Sequence, residues 1–115
     1  MTLTTREIPR SAWRSYFDEF SRDLEPMRAR IEVLGREVGA QVEADRPSLA
    51  AITYDDRDDI VVIGLDAPGG GPEDLEHIVY RPQKIAVASG KDSTMVFDIE
   101  DAEGTRTLLS LEPTA

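Results

Sequence analysis

Cysteine is absent from this chain of 115 residues, and histidine and tryptophan occur once each. Without cysteine there is no disulfide framework and no thiolate chemistry, which fits a reducing compartment. Long apolar runs are also missing, because the longest aliphatic run covers only residues 60–63, far fewer than the roughly 20 residues that span a bilayer. Residues 1–10 have no apolar core of the kind found in signal peptides. We therefore expect a cytoplasmic protein that does not bind membranes.

Lysine is scarce, with Lys84 and Lys91 alone, and the formal net charge is −10. The charge is uneven: residues 1–36 sum to +1 and residues 37–115 sum to −11. Such a protein repels phosphate backbones, so we expect no nucleic-acid partner. The simplest interpretation is an acidic surface that keeps the protein soluble. The alternative is a surface that mimics nucleic acid or docks on a basic protein.

Aromatic residues cluster near the N-terminus at helical spacing. Ser11 is the candidate N-cap and Pro26 limits the other end, so we predict a helix over about residues 11–24. Its apolar positions recur at i, i+3, i+4, i+7 and i+11, which defines one stripe on a helix. The stripe consists of Trp13, Tyr16, Phe17, Phe20 and Leu24, and the opposite face of Arg14, Asp18, Glu19, Arg22 and Asp23. We expect the stripe to be buried against a sheet.

After Pro26 the apolar period changes to two, which is typical of half-buried strands. Strands are predicted at residues 27–33, 40–44, 48–55, 59–66, 83–89, 93–100 and 105–112. Pro47 indicates a bend in the sheet or the start of a new strand. The segment EDLEHIVY, residues 73–80, is interpreted as a turn leading into Pro82, with a strand as the alternative.

This order of elements predicts an α+β fold that is mainly β. An N-terminal amphipathic helix packs on a strongly bent antiparallel sheet of about six strands, forming a small barrel-like roll. The alternative is an open antiparallel sheet with the helix on one face. We expect one compact domain over residues 11–112, preceded by a polar lead-in at residues 1–10 and followed by a tail at residues 113–115.

Two loops attract functional interpretations but are explained by local structure. DDRDD, residues 55–59, lies between two alternating runs and lacks the glycine and the final glutamate of a calcium loop. Since aspartate side chains bond nearby backbone N–H groups, it is interpreted as a hairpin turn. GGGPED, residues 69–74, lacks the lysine of a phosphate-binding loop and the spacing of a dinucleotide loop, which indicates a flexible connection.

DAEG, residues 101–104, is predicted to form a type I turn.

No catalytic constellation emerges from the polar residues. His77 is the single histidine, and the acids near it in sequence are Glu76 and Asp74. A histidine needs a second ligand or a nucleophile to act, so a packing or hydrogen-bonding role is favoured. We therefore predict no enzymatic activity, no cofactor and no metal, and keep a small-ligand or metal site at His77, Glu76 and Asp74 as the weakest hypothesis.

Arginines mark a candidate interaction surface. Arg28 and Arg30 point to the outer face of the first predicted strand, and Arg81 and Arg106 approach them if the sheet closes. Arginine is favoured at protein interfaces. A solvated sheet face is the simpler explanation, and a contact with a partner or a second copy is the alternative.

Five segments together resemble a prokaryotic family called domain of unknown function 5335. They are REIPRSAWRSYFDEFSR, IEVLGREVGAQVEA, LAAITYDDRDDIVVIGLD, LEHIVYRPQKIAV and DIEDAEGTRTLLSLEP, and they cover residues 4 to 112. This chain differs from the family pattern by an insertion, APGGGPE, before Leu75. The resemblance supports the domain boundaries and implies no activity, substrate or cofactor.

These observations favour a non-enzymatic binding or adaptor domain that self-associates through a strand edge or the helix. The first alternative is an acidic inhibitor or nucleic-acid mimic that binds a basic protein. The second is the small-ligand or metal-binding domain centred on His77.

Overall fold

The structure, a computed structural model, describes residues 4–35, 39–66, 75–90 and 92–114, with the backbone alone at residues 39, 40 and 43–46. These segments form β1 (Thr4–Ile8), a 3-10 turn (Arg10–Ala12), α1 (Trp13–Arg22), β2 (Met27–Gly35), β3 (Gly39–Asp55), β4 (Ile60–Leu65), β5 (Leu75–Tyr80), β6 (Pro82–Ser89), β7 (Met95–Asp101) and β8 (Arg106–Pro113). Neither helical segment among these residues is long and apolar enough to cross a membrane.

A one-residue connection forces the sheet to curl. The strand order is β1-β6-β7-β8-β2-β3-β4-β5, with all neighbours antiparallel. β5 ends one side of this ladder and β6 lies next to the other end, yet only Arg81 joins them. One residue spans at most about 3.6 Å, so the two ends of the sheet must meet there. The Arg81 N–H donates to the Asp59 carbonyl (2.9 Å), and the Arg81 carbonyl accepts from the Ala102 N–H (3.0 Å).

The curl stops short of a closed barrel, because no ladder among the described strands joins β5 to β1. The predicted N-terminal helix on a strongly bent antiparallel sheet is therefore confirmed, and the open-sheet alternative is consistent with it. Arg81 adopts φ 50° to make the connection, a left-handed conformation that is uncommon for residues other than glycine.

β3 supplies the main bend within the sheet. Its first part pairs with β2 as far as Ser48, and its second part pairs with β4 from Leu49 onward. Between the pairs Arg28–Ser48 and Arg30–Asp45, β2 has one residue and β3 has two, which is a β-bulge containing Pro47. A bulge tolerates proline because one residue there is left out of the ladder. Pro47 thus marks a bend within one strand.

The aromatic stripe packs on the concave face of the sheet, as predicted, with Trp13 and Phe17 buried and Tyr16, Phe20 and Leu24 half-buried. Trp13 and Phe17 are 1% and 0% exposed. The Phe17 and Phe97 ring centroids lie 5.6 Å apart, and the Trp13 indole N–H donates to the Ile8 carbonyl at 2.8 Å. The prediction that Ser11 caps the helix is wrong: the helical region starts with the 3-10 turn after Pro9, and no side chain caps it.

A serine on α1 completes the backbone hydrogen bonding of β3. Beyond Ser48, β3 has lost β2 as a neighbour, so one edge of its second part faces the helix. There the Ser21 hydroxyl donates to the Ile52 carbonyl (2.8 Å) and accepts from the Ile52 N–H (2.9 Å). Buried backbone groups without partners cost free energy, so this pair of bonds holds the helix in register with the sheet.

Two strands differ from the favoured predictions. Residues 4–8 of the predicted polar lead-in form β1, which pairs with β6 from Thr4–Ser89 to Ile8–Ile85. Residues 75–80, interpreted as a turn with a strand as the alternative, form β5 along β4, so the alternative is confirmed. The predicted strands at 40–44 and 48–55 are one strand, β3. The ladder of the described residues therefore has eight strands instead of about six.

We expect Ser21→Ala to lower the free energy of unfolding by about 1–3 kcal/mol, because it leaves the N–H and carbonyl of Ile52 without a partner. Urea denaturation measures the change. Ser15→Ala is the matched control, since Ser15 lies on the same helix, is exposed and bonds only the Ala12 carbonyl. Equal stability losses in the two variants would contradict this role for Ser21.

Candidate functional site

The aspartate-rich segment forms the turn between β3 and β4. The Asp55 carboxylate accepts the N–H groups of Arg57 (2.9 Å) and Asp58 (3.3 Å), and Asp59 adopts φ 53°. Asp59 accepts the Tyr54 hydroxyl at 2.7 Å. The predicted hairpin turn is confirmed, and its carboxylates stabilise the turn itself.

Arg10 ties this turn to the start of the helix. Its guanidinium lies 4.4 Å from the Trp13 ring centroid and donates to Pro82 carbonyl (2.8 Å) and Asp59 carboxylate (3.4 Å). Burial, followed by the hydrogen bond to Asp59, raises the pKa of Tyr54 above its usual value near 10. These contacts give the aspartates and the arginine of the turn a structural role.

The described residues of the weakest hypothesis, His77 and Glu76, do not come together. His77 is half-buried on β5, and Glu76 is exposed. Consecutive strand residues point to opposite faces, so these two side chains diverge. Asp74 lies outside the described residues. Within the described residues, no group of three metal-ligating side chains forms.

His77 does line a cleft of about 380 Å³ between β5 and the turn from β7 to β8. The acids of this cleft are engaged locally. Asp101 accepts the N–H groups of Glu103 (2.9 Å) and Thr105 (3.0 Å), as the predicted turn at 101–104 requires, and Glu103 pairs with Arg81 at 3.2 Å. Asp101 and Glu103 of this cleft therefore hold a turn and a connection.

The four arginines of the predicted interaction surface lie in two separate regions. Arg28 and Arg30 lie on the outer face of β2, beside Glu112 and Ser110 of β8. Arg106 and Arg81 lie near the turn between β7 and β8, at the other end of β2.

Three of these arginines have acidic partners. Arg30 pairs with Glu32 (3.1 Å) and Arg81 with Glu103. The Arg106 Nε lies 3.2 Å from Asp98, and this hydrogen bond raises the pKa of Arg106. Exposed ion pairs of this kind contribute at most about 1 kcal/mol each to stability. Because arginines and acids lie side by side here, the sheet face carries charges of both signs.

A groove lies beside the end of α1. It has a volume of about 500 Å³ and lies between α1, the segment leading to β2 and the turn from β6 to β7. Its apolar lining comes from Tyr16, Phe20, Leu24, Met27 and Met95. We call this cavity the helix-end groove. Its volume lies within the range of about 300–1,000 Å³ that is usual for ligand sites.

The floor of the helix-end groove is rigidly packed. The Phe20 and Phe97 rings meet edge to face with centroids 5.4 Å apart, and Tyr16 contacts Phe97 at 6.2 Å. Phe97 is fully buried, whereas Phe20 and Tyr16 are half-buried. The groove therefore presents one face of these rings to solvent and anchors the other in the core.

Carboxylates line one side of the helix-end groove. Glu19, Asp23 and Glu25 line it and are exposed, and no arginine or lysine is among the described residues of the lining. Arg22 lies outside the lining, 3.7 Å from Asp23, as an exposed pair. Lys91, in the turn from β6 to β7, lies outside the described residues. The lining thus combines an apolar floor with a negative rim.

The turn from β6 to β7 forms the far wall of the groove. Asp92 accepts the Thr94 hydroxyl (2.6 Å) and the Thr94 N–H (3.3 Å), which lowers the pKa of Asp92. Ser93 adopts φ 67°, and its N–H donates to the Gly90 carbonyl at 3.3 Å. The turn therefore adds a carboxylate that stays ionised next to the groove.

Comparison with known proteins identifies the family. The model of the family of unknown function DUF5335 matches residues 4–115. The chain belongs to this family. An uncharacterised protein of the bacterium Aquifex aeolicus is 32% identical over 111 residues, covering 96% of this chain and 95% of that protein. No solved structure matches the chain. The resemblance found in the sequence is confirmed, and these DUF5335 relatives bring no assigned activity.

Sequence reasoning missed the helix-end groove. It placed Glu19 and Asp23 on a solvated face, where they are exposed, and Phe20 and Leu24 in a buried stripe, whereas both are half-buried. The opposite wall comes from a turn about 70 residues later in the chain, and local periodicity carries no information about such a neighbour. The proximity of acids to the end of the stripe was the available signal.

The raised pKa of Tyr54 makes stability sensitive to alkaline pH. Because the folded state favours the neutral phenol, its contribution is complete below pH 10 and declines as the pH rises through the folded pKa. We expect Tyr54→Phe to flatten this decline while lowering stability at pH 8 through loss of the bond to Asp59. Urea unfolding from pH 8 to 11 measures both effects. Tyr80→Phe, at an exposed tyrosine, should leave the decline unchanged, and an equal flattening there would refute the assignment.

Proposed function

We propose that this protein is a non-enzymatic binding domain whose helix-end groove takes a short segment of a partner protein. The segment carries two or three apolar side chains flanked by lysine or arginine. The proposal unites two expectations from the sequence, a binding domain and a basic partner. The observation that carries it is the coincidence of a groove of ligand-site volume, an apolar floor and acidic side chains at one place.

The apolar floor supplies the affinity. Tyr16, Phe20 and Met95 are half-buried and pack against the core from below, so a partner side chain covers their exposed faces without moving them. Each buried Å² of apolar surface contributes roughly 25 cal/mol. Methionine side chains at Met27 and Met95 adapt to different partner side chains, as at other peptide-binding surfaces.

The acidic rim supplies orientation and selectivity. Glu19, Asp23 and Glu25 line the groove on the side formed by α1 and the segment after it, so a basic residue next to the apolar side chains of the bound segment lies near a carboxylate. Charge complementarity of this kind favours the right partner and raises association rates more than it raises affinity. Acidic segments are repelled by the rim and by the net charge of −10.

Catalysis is not part of this proposal. Glu76 points away from His77, and Asp101 and Glu103 of the neighbouring cleft already hold the turn and Arg81. A group that stabilises a turn is poorly placed to transfer protons to a substrate.

Three labelled peptides test the binding: one with leucines between arginines, one with the same leucines between glutamates, and one with serines replacing the leucines between arginines. We expect only the first to bind in fluorescence anisotropy. Its affinity should fall as salt rises, because the rim charges are exposed and screened. Equal binding of the first and third peptides would reduce the groove to a non-specific acidic surface, and no binding of the first would refute the proposal.

A matched pair of charge reversals locates the site. Glu19→Lys and Asp18→Lys change the net charge equally, are adjacent on α1 and are both exposed. Glu19 lines the helix-end groove, whereas Asp18 lies beside the turn from β3 to β4. We expect Glu19→Lys to weaken the first peptide about five-fold, roughly 1 kcal/mol, and Asp18→Lys to change it by less than about two-fold. Equal weakening would place the peptide elsewhere.

A further inference from the structure

A second cavity borders the helix-end groove. It has a volume of about 340 Å³ and is formed by β2, β8 and the start of β7. Thr94 and Met95, where β7 begins, line both cavities. We call the second cavity the arginine pocket, because Arg28 and Arg30 line it. A segment that leaves the helix-end groove over the start of β7 therefore reaches the arginine pocket.

The register of the sheet sets the lining of the arginine pocket. Arg30, Ser110 and Val96 lie side by side on β2, β8 and β7, and Arg28 lies opposite Glu112. Alternate residues of a strand share a face of the sheet, so Arg28 and Arg30 both project from the outer face. The side chains of the pocket therefore include two guanidinium groups, a serine hydroxyl and one carboxylate.

The arginine pocket and the helix-end groove differ in charge. The described lining of the pocket has two arginines and one acid, whereas that of the groove has three carboxylates and neither arginine nor lysine. Arg30 pairs with Glu32. Arg28 forms no ion pair with a carboxylate of the described residues, although it lies opposite Glu112 in the ladder. The Arg28 guanidinium can therefore accept a carboxylate from a ligand.

We infer that the partner segment in the helix-end groove continues across the start of β7 and places a carboxylate on Arg28. The segment then has a basic residue beside Glu19, apolar residues over the floor of the groove and an acidic residue in the arginine pocket. This inference rests on the proposed function and adds the polarity of the partner segment. A guanidinium binds both oxygens of a carboxylate with its planar fork, which favours a carboxylate as the group bound by Arg28.

The spacing of the strands gives the length of the partner segment. β8 lies between β7 and β2, so the start of β7 and Arg28 are two strand spacings apart, roughly 10 Å. An extended chain covers this distance with about three residues, at roughly 3.3 Å each. We therefore place the acidic residue of the partner three positions beyond its last apolar residue.

Glu112 is the acid that opposes this contact. It is exposed and lines the arginine pocket near Arg28, so its carboxylate repels the carboxylate of the partner. Solvent screens this repulsion, because both groups lie at the surface. We expect Glu112→Gln to strengthen the binding of a segment with the acidic residue, and to have a smaller effect on a segment without it.

Two peptides blocked at both termini test the polarity by fluorescence anisotropy. One has an arginine, two leucines and, three positions later, a glutamate, and the other has serine in place of the glutamate. Each is made in both sequence orders. We expect the glutamate to strengthen binding about three- to five-fold in one order. Equal binding of the two peptides in both orders would overturn the inference and leave the proposed function standing, whereas no binding of either peptide would overturn both.

Variants of Arg28 locate the carboxylate. Arg28→Ala should remove the advantage of glutamate over serine, and Arg28→Glu should transfer the advantage to a peptide with lysine at that position. Arg57→Ala is the matched control, because it removes an equal charge from an exposed arginine in the turn between β3 and β4, and it should keep the glutamate advantage. Circular dichroism checks that the variants fold. A glutamate advantage that survives Arg28→Ala, or that Arg57→Ala removes equally, would show that Arg28 is not the contact.

Discussion

The connection between β5 and β6 consists of Arg81 alone, although these strands lie near opposite ends of the hydrogen-bonded ladder. A flat eight-stranded sheet is about 35 Å wide at roughly 4.8 Å per strand, far more than one residue spans. The sheet must therefore curl. Backbone hydrogen bonds from Arg81 to Asp59 and from Ala102 to Arg81 hold the two ends together, and the concave face that results is where the core forms.

The curled sheet and the helix stabilise each other. Side chains of the strands alone leave the concave face open, and Trp13 and Phe17 fill it. The bend of β3 removes a neighbour from Ile52, and Ser21 replaces that neighbour. Because α1 ends before it covers the far side of this face, Phe20 remains half-buried. The helix-end groove is the space left there.

The acidic side chains of this structure fall into two sets. Carboxylates of the turns, such as Asp55 and Asp101, accept backbone N–H groups and stabilise chain reversals. Carboxylates of the groove rim, such as Glu19 and Glu25, are exposed beside apolar surface. The two sets have the same composition and different surroundings, which is why the count of acidic residues alone indicates no particular function.

The sequence by itself determined the elements whose signals are local: the amphipathic helix, the turns at residues 55–59 and 101–104, and the strands with regular alternation. These depend on neighbours within a few positions. The tertiary structure alone decided that residues 4–8 are a strand and that residues 75–80 are a strand and not a turn, since these polar or mixed sequences become strands by pairing with β6 and β4. It also decided the groove and the two edges, because these depend on which distant segments meet when the sheet curls.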